Sequence, residues 1–133
     1  MITIDQARKI IAAGEDRAAR IGVPVNIAVL DAGVHLKAFS RMDKALLGSI
    51  DIAIGKARTA ALFGMRTESI GDFSKPGGTS PGLEQTNGGL VVFGGGLPIL
   101  DTNGALIGAV GVSGSAVAQD LEIAEAAAAA LGN

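Results

Sequence analysis

Apolar residues recur along this chain with different periods, and each period predicts an element. Ala7, Ile10, Ile11, Ala18 and Ile21 return at helical spacing. Thr3 precedes them with Gln6 three residues later, the pairing of a capping box, and Gly22 with Pro24 ends the run. VNIAVL (25–30) is apolar on both faces, as a central strand is. Asp31-Ala32-Gly33 reads as a tight hairpin turn. VHLKAFS (34–40) then alternates, with Val34, Leu36 and Ala38 to one side and His35, Lys37, Phe39 and then Arg41 to the other. A second helix lies within 46–63, carrying Ile50, Ile54, Ala57 and Ala61 on one stripe, with Gly64 beyond its end.

From 72 to 89, DFSKPGGTSPGLEQTNGG shows no period and is dense in Gly, Pro, Ser and Thr. A loop of that length in a compact domain usually serves function or an interface. The pattern resumes with short apolar runs at 90–93, 97–100 and 105–113, read as three strands. Gly108 and Gly111 in the last of them imply that something packs very close. Ser115 then caps a final helix over 116–131, with Asp120 and Glu122 in its early part, where the helix dipole favours acids.

The order α-β-β-α-loop-β-β-β-α predicts an α+β fold, an antiparallel sheet of five strands with helices mainly on one face, the whole chain 1–133 forming one domain. The uncovered face would be where subunits meet.

The glycine-rich stretch VVFGGGLPILDTNGALIGAVGVSG (91–114) holds seven glycines in 24 residues and invites comparison with a phosphate cradle. The comparison fails. No Gly-x-x-x-x-Gly-Lys-Ser/Thr occurs, and no Gly-x-Gly-x-x-Gly leaves a strand to open a helix; these glycines fall in and between consecutive strands.

Composition narrows the chemistry further. Cysteine, tryptophan and tyrosine are absent, so disulfides, thiolate metal sites and Cys-attached haem are excluded. A net charge of −2 gives no pull toward nucleic acid or anionic membrane. No apolar run approaches the roughly 20 residues of a membrane span, and the first ten residues carry charges where a secretion signal would be apolar. The expected setting is the cytoplasm. With charged residues at only 18% and a mean hydropathy of +0.42, the chain has more apolar surface than one small core hides, and a homo-oligomer is the expected outlet.

His35 is the only histidine. Alone it builds no metal site, and no nucleophile–base pattern accompanies it. Taken by its spacing, it reads first as a hydrogen-bonded or solvated histidine on a half-exposed strand. Lys37 and Arg41 share its side, and together they would make a basic patch able to receive carboxylates. Lys56 and Arg58 lie two positions apart on the second helix and so point different ways; Lys56 is counted among the candidate ligand contacts.

Four stretches taken together, VLDAGVHLKAFSRMD (29–43), GSIDIAIGKARTAALFG (48–64), TNGGLVVFGGGLPI (86–99) and GALIGAVGVSG…QDLEIAEA (104–126), resemble the GlcG/HbpS-like haem-binding family. That family also occurs as the C-terminal domain of PduO-type cobalamin adenosyltransferases. The likeness runs in order over nearly the whole chain. It implies a profilin-like α+β fold, symmetric self-association, and non-covalent binding of haem or a related tetrapyrrole, with members acting as accessories to glycolate or diol catabolism.

One departure stands out: the family's Asp-Ala-Gly-Gly-His turn is Asp31-Ala32-Gly33-Val34-His35 here. If haem is the cofactor, the usual axial ligands left in this composition are His35 and the three methionines. Of these His35 is the candidate taken, lying in a motif stretch beside Lys37 and Arg41, which could pair with the propionates. The alternative is an enzyme or accessory factor acting on a small organic acid, held by Lys37, Arg41 and the loop 77–89.

Overall fold

The structure is a computed structural model and describes residues 1–132; Asn133, the last residue of the expected domain, lies outside the described residues. Helix α1 (Ile4–Ile21) starts at the predicted capping box. Gln6 N–H donates to Thr3 Oγ1 at 3.1 Å and Thr3 N–H to Gln6 Oε1 at 2.9 Å. Gly22, in the left-handed conformation, ends the helix. Strands β1 (Asn26–Asp31) and β2 (Leu36–Arg41) form a hairpin. Helices α2 (Gly48–Phe63) and α3 (Thr67–Ser74) follow, then strands β3 (Gly96–Leu100) and β4 (Leu106–Ser113), and helix α4 (Val117–Ala128).

The sheet has four antiparallel strands in the order β2-β1-β4-β3, not five. The missing strand is 90–93, which runs without strand pairing. Its apolar side chains find helices instead of a sheet. Val91 Cγ2 lies 2.7 Å from where a Cβ on Gly55 of α2 would stand, and Val92 O lies 2.2 Å from the corresponding point on Gly71 of α3. A short apolar run carries no information about which kind of surface will cover it. Helix α3 itself sits where the sequence reads partly as loop.

Helices cover both faces, which corrects the one-sided arrangement. On one face α1 and α4 bury Ala7, Ile10, Ile123 and Ala127 against Ile27, Val29, Val110 and Val112. On the other, α2 lays Ala53, Ala57, Ala60 and Ala61 on Ala28, Leu30 and Ala109. Each fully buried Ile or Val contributes about 1.5–3 kcal/mol.

The alanine face of α2 explains the glycines. A Cβ on Gly111 of β4 would stand 2.0 Å from Ala53 O, and one on Gly96 of β3 would stand 2.5 Å from Lys56 O. These glycines let a helix backbone rest directly on the sheet. The expected α2 stripe is correspondingly rotated: Ile50 and Ile54 are only half-buried, while Ala53, Lys56, Ala57 and Ala60 face inward.

The start of α4 is also different. Its N-cap position is Ala116, without a side-chain cap, and the helix ends at Ala128 ahead of a short 3-10 turn, Ala129–Leu131. Ser115 instead gives its N–H to Asp120 Oδ1 at 3.0 Å.

Candidate functional site

The β1–β2 turn presents His35. Asp31 closes it: one carboxylate oxygen, Oδ1, accepts from Gly33 N–H at 2.9 Å and from His35 N–H at 3.0 Å. Val34 N–H donates to Asp31 O at 3.0 Å, and Asp31 N–H to His35 O at 2.9 Å. Such a turn needs a left-handed residue, and Val34 supplies it with φ +64°. A β-branched residue there carries strain of about 1–2 kcal/mol. The Gly-to-Val departure therefore leaves the turn in place at an energetic cost, partly offset because Val34 packs against the α2-side core of Ala28, Leu30 and the α2 alanines.

His35 lies in this turn rather than on the strand, which begins at Leu36. Its Nδ1 is 3.3 Å from Asp31 Oδ1, and its side chain is 79% exposed. The Asp31 carboxyl is held below its ordinary value of 3.8, chiefly by the hydrogen bond from the His35 backbone N–H.

Lys37 and Arg41 do not share one side with His35. Leu30 pairs with Leu36 and Val29 with Ala38, so Lys37 is the extra residue of a β-bulge. The bulge breaks the alternation at Lys37, which borders a groove of about 440 Å³ walled by Ile4, Arg8, Ile11 and Glu15 of α1 and by Ala38 and Phe39 of β2. Arg41 stays across from Asn26 at the far end of β2. Both cations are exposed, and among the described residues neither has an ion-pair partner. The loop 77–89 is tied to α2, with Arg58 Nη1 donating to Gly89 O at 3.4 Å.

Lys56 stands apart from the other three. Its side chain is 0% exposed, with Nζ 2.8 Å from Val112 O, 3.2 Å from Asp120 Oδ2 and 5.0 Å from the centroid of the Phe93 ring. Carbonyl, carboxylate and aromatic ring surround the ammonium, and with its side chain 0% exposed it reaches no surface ligand from there. Burial pushes the Lys56 ammonium down and the Asp120 carboxyl up, and each charge partly restores the other. Asp120, read from sequence as a dipole-favoured acid, was missed as this partner. A lysine inside the inward stripe Ala53-Lys56-Ala57-Ala60 was the available signal.

Comparison with known proteins agrees with this architecture. The family model "Haem degrading protein HbpS-like" matches residues 2–129. An uncharacterized 15.0 kDa protein of the dhaT-dhaS intergenic region of Citrobacter freundii is 45% identical over 127 residues, 95% of this chain and 89% of that one. Protein GlcG of Escherichia coli is 41% identical over 85% of this chain and 81% of its own length. The corrinoid adenosyltransferase PduO of Salmonella typhimurium is 39% identical over 90% of this chain, which spans only 35% of that enzyme. A solved PduOC:heme complex superposes with a TM-score of 0.90 at 37% identity, covering 97% of this chain and 94% of the other. Together with the two-faced sheet and the Asp31–His35 turn, these matches establish the chain as a member of the HbpS-like family.

Proposed function

We propose that this protein binds haem non-covalently at its surface, with His35 as the axial ligand and a second copy of the chain closing the site. One observation carries the reading. The His35 imidazole is engaged on Nδ1 by Asp31 and projects into solvent, so the Nε2 lone pair is the one offered to a metal. Among the described residues no cluster of three or more His, Asp or Glu side chains could hold a bare ion. A lone imidazole suits iron whose in-plane ligands come from a porphyrin. The solved haem complex of a 37%-identical relative supports the same ligand class.

His35 would hold the iron; Lys37 and Arg41, exposed but not on one side with it, do not converge on the same contact. Haem would bring the iron's redox chemistry; the chain's residues hold and orient it. The turn is a projection rather than a cavity, so a symmetric partner supplies the opposing wall. Leu46 at 63% and Leu47 at 68% exposure, ahead of α2, are apolar surface that self-association would cover. A cytoplasmic accessory to glycolate or diol catabolism is the setting that the likeness to GlcG and PduO supports.

Haem titration followed by absorption tests the proposal. The wild type is expected to shift the Soret band, and His35→Ala to lose the shift or weaken binding at least tenfold. An unchanged band in His35→Ala removes His35 from the site, and no band in the wild type removes haem. Light scattering that gives a monomer with and without haem removes the shared wall.

A further inference from the structure

We infer that the α1–β2 groove is a second ligand site, taking an amphiphilic monocarboxylate such as a medium-chain fatty acid. The groove pairs an apolar floor with a cationic end. Ile11 and Ala38 pack toward the core and form the floor, and Ile4 stands exposed at its mouth. Ser40 Oγ donates to Glu15 Oε2 at 2.7 Å, which ties β2 to α1 and holds the groove's acid at that contact. Lys37, three residues earlier on β2, therefore lies beside the earlier turns of α1, where Arg8 stands.

These two cations are the uncommitted ones. Lys37 has no ion-pair partner among the described residues. Arg8 meets Asp5 only at 3.9 Å, with both side chains exposed, a contact that holds little. The bulge adds a separate argument. A regular strand would alternate Lys37 onto the same side as Phe39, toward α2; the inserted residue breaks that alternation, and Lys37 borders the groove. Bulges that re-aim a side chain are over-represented beside binding sites. A cavity with an apolar wall and a few converging polar groups is the usual form of a small-molecule site, and about 440 Å³ lies within the usual size range. Two positive charges at one end of an aliphatic floor complement a carboxylate with an alkyl body, and neither an uncharged alcohol nor acetate satisfies both parts.

Octanoate is the probe, titrated into the intact protein and followed by amide and methyl NMR shifts, with octanol and acetate as controls. Octanoate is expected to move resonances of Ile4, Ile11 and Ala38, and to bind at least roughly fivefold more tightly than either control. The double substitution Arg8→Gln with Lys37→Gln is expected to bring octanoate down to the octanol level. Raising salt should weaken octanoate binding and leave octanol unaffected. His35→Ala should bind octanoate as the wild type does, which separates this site from the haem proposal whichever way that one falls. The inference is overturned if octanol binds as well as octanoate, if the double variant keeps wild-type affinity, or if the shifts fall outside the groove.

Discussion

Two pairs of a basic side chain and a carboxylate, nearly equal in length, sit in opposite surroundings. His35 Nδ1 and Asp31 Oδ1 are 3.3 Å apart at the surface, and Lys56 Nζ and Asp120 Oδ2 are 3.2 Å apart in the interior, with side chains 0% and 3% exposed. Distance alone would rank them together; solvent separates them. At the turn, water surrounds the imidazole, which stays free to meet a ligand. Inside, desolvation opposes both charges, so the pair persists only because each partner answers the other, with the Val112 carbonyl and the Phe93 ring face receiving the ammonium and Ser115 N–H donating to the carboxylate. The outer pair is an offer of chemistry, and the inner pair is a fastening between α2, the end of β4 and α4.

The largest expected effect comes from breaking the inner fastening. Asp120→Ala leaves the Lys56 ammonium buried without its carboxylate, and should destabilise the fold by about 3–5 kcal/mol. Lys56→Met combined with Asp120→Leu removes both charges and should cost far less than the sum of the single changes. Urea unfolding midpoints of the single and double variants measure this. Additive losses would show that the two residues do not act as a pair.

A smaller effect is expected at the outer turn, where Val34 is the strained residue. Val34→Gly relieves about 1–2 kcal/mol of left-handed strain. Against this stand roughly 0.5–1 kcal/mol of added unfolded-chain entropy and the lost packing on the α2-side core. The net change should fall within about 1 kcal/mol of zero. The same substitution at Val29, fully buried in β1, should cost several-fold more. A loss at position 34 as large as that at position 29 would mean that packing, not backbone geometry, holds Val34.

How much of this was legible in the sequence differs between the two pairs for a physical reason. The outer turn is local: Asp31, Gly33, Val34 and His35 are neighbours in the chain, and the hairpin, its tight turn and the singular histidine could all be read directly. The α1 capping box was legible on the same ground. Lys56 and Asp120 are 64 positions apart, and no periodicity announces a contact of that kind. The sheet failed in the same way. A run such as 90–93 has the right side chains for a strand, yet what it packs on, here the glycines of α2 and α3, is decided by distant chain. The bulge at Lys37 is a third case, because a one-residue slip in pairing leaves the alternation of VHLKAFS intact on paper while redirecting one side chain. Glycines 108 and 111 were informative because close approach demands them whatever the partner.

The smallest expected effect tests whether charge, as well as shape, holds the outer turn. Asp31→Asn keeps an Oδ1 acceptor for the Gly33 and His35 N–H groups and removes only the negative charge. In the wild type the folded carboxyl lies below its ordinary value of 3.8, first because the His35 backbone N–H donates to it, with Gly33 N–H and the His35 imidazole adding to the effect. A folded pKa below the unfolded one gives stability that is present above 3.8 and is lost as pH falls through the lowered value. The wild type should therefore lose stability below about pH 4 more steeply than Asp31→Asn, and the two curves should run parallel above about pH 5. Urea midpoints taken between about pH 2.5 and 6 resolve the slopes. Identical acid slopes would place the Asp31 carboxyl at its ordinary value, leaving the turn held by hydrogen-bond geometry alone and the outer pair without an electrostatic share.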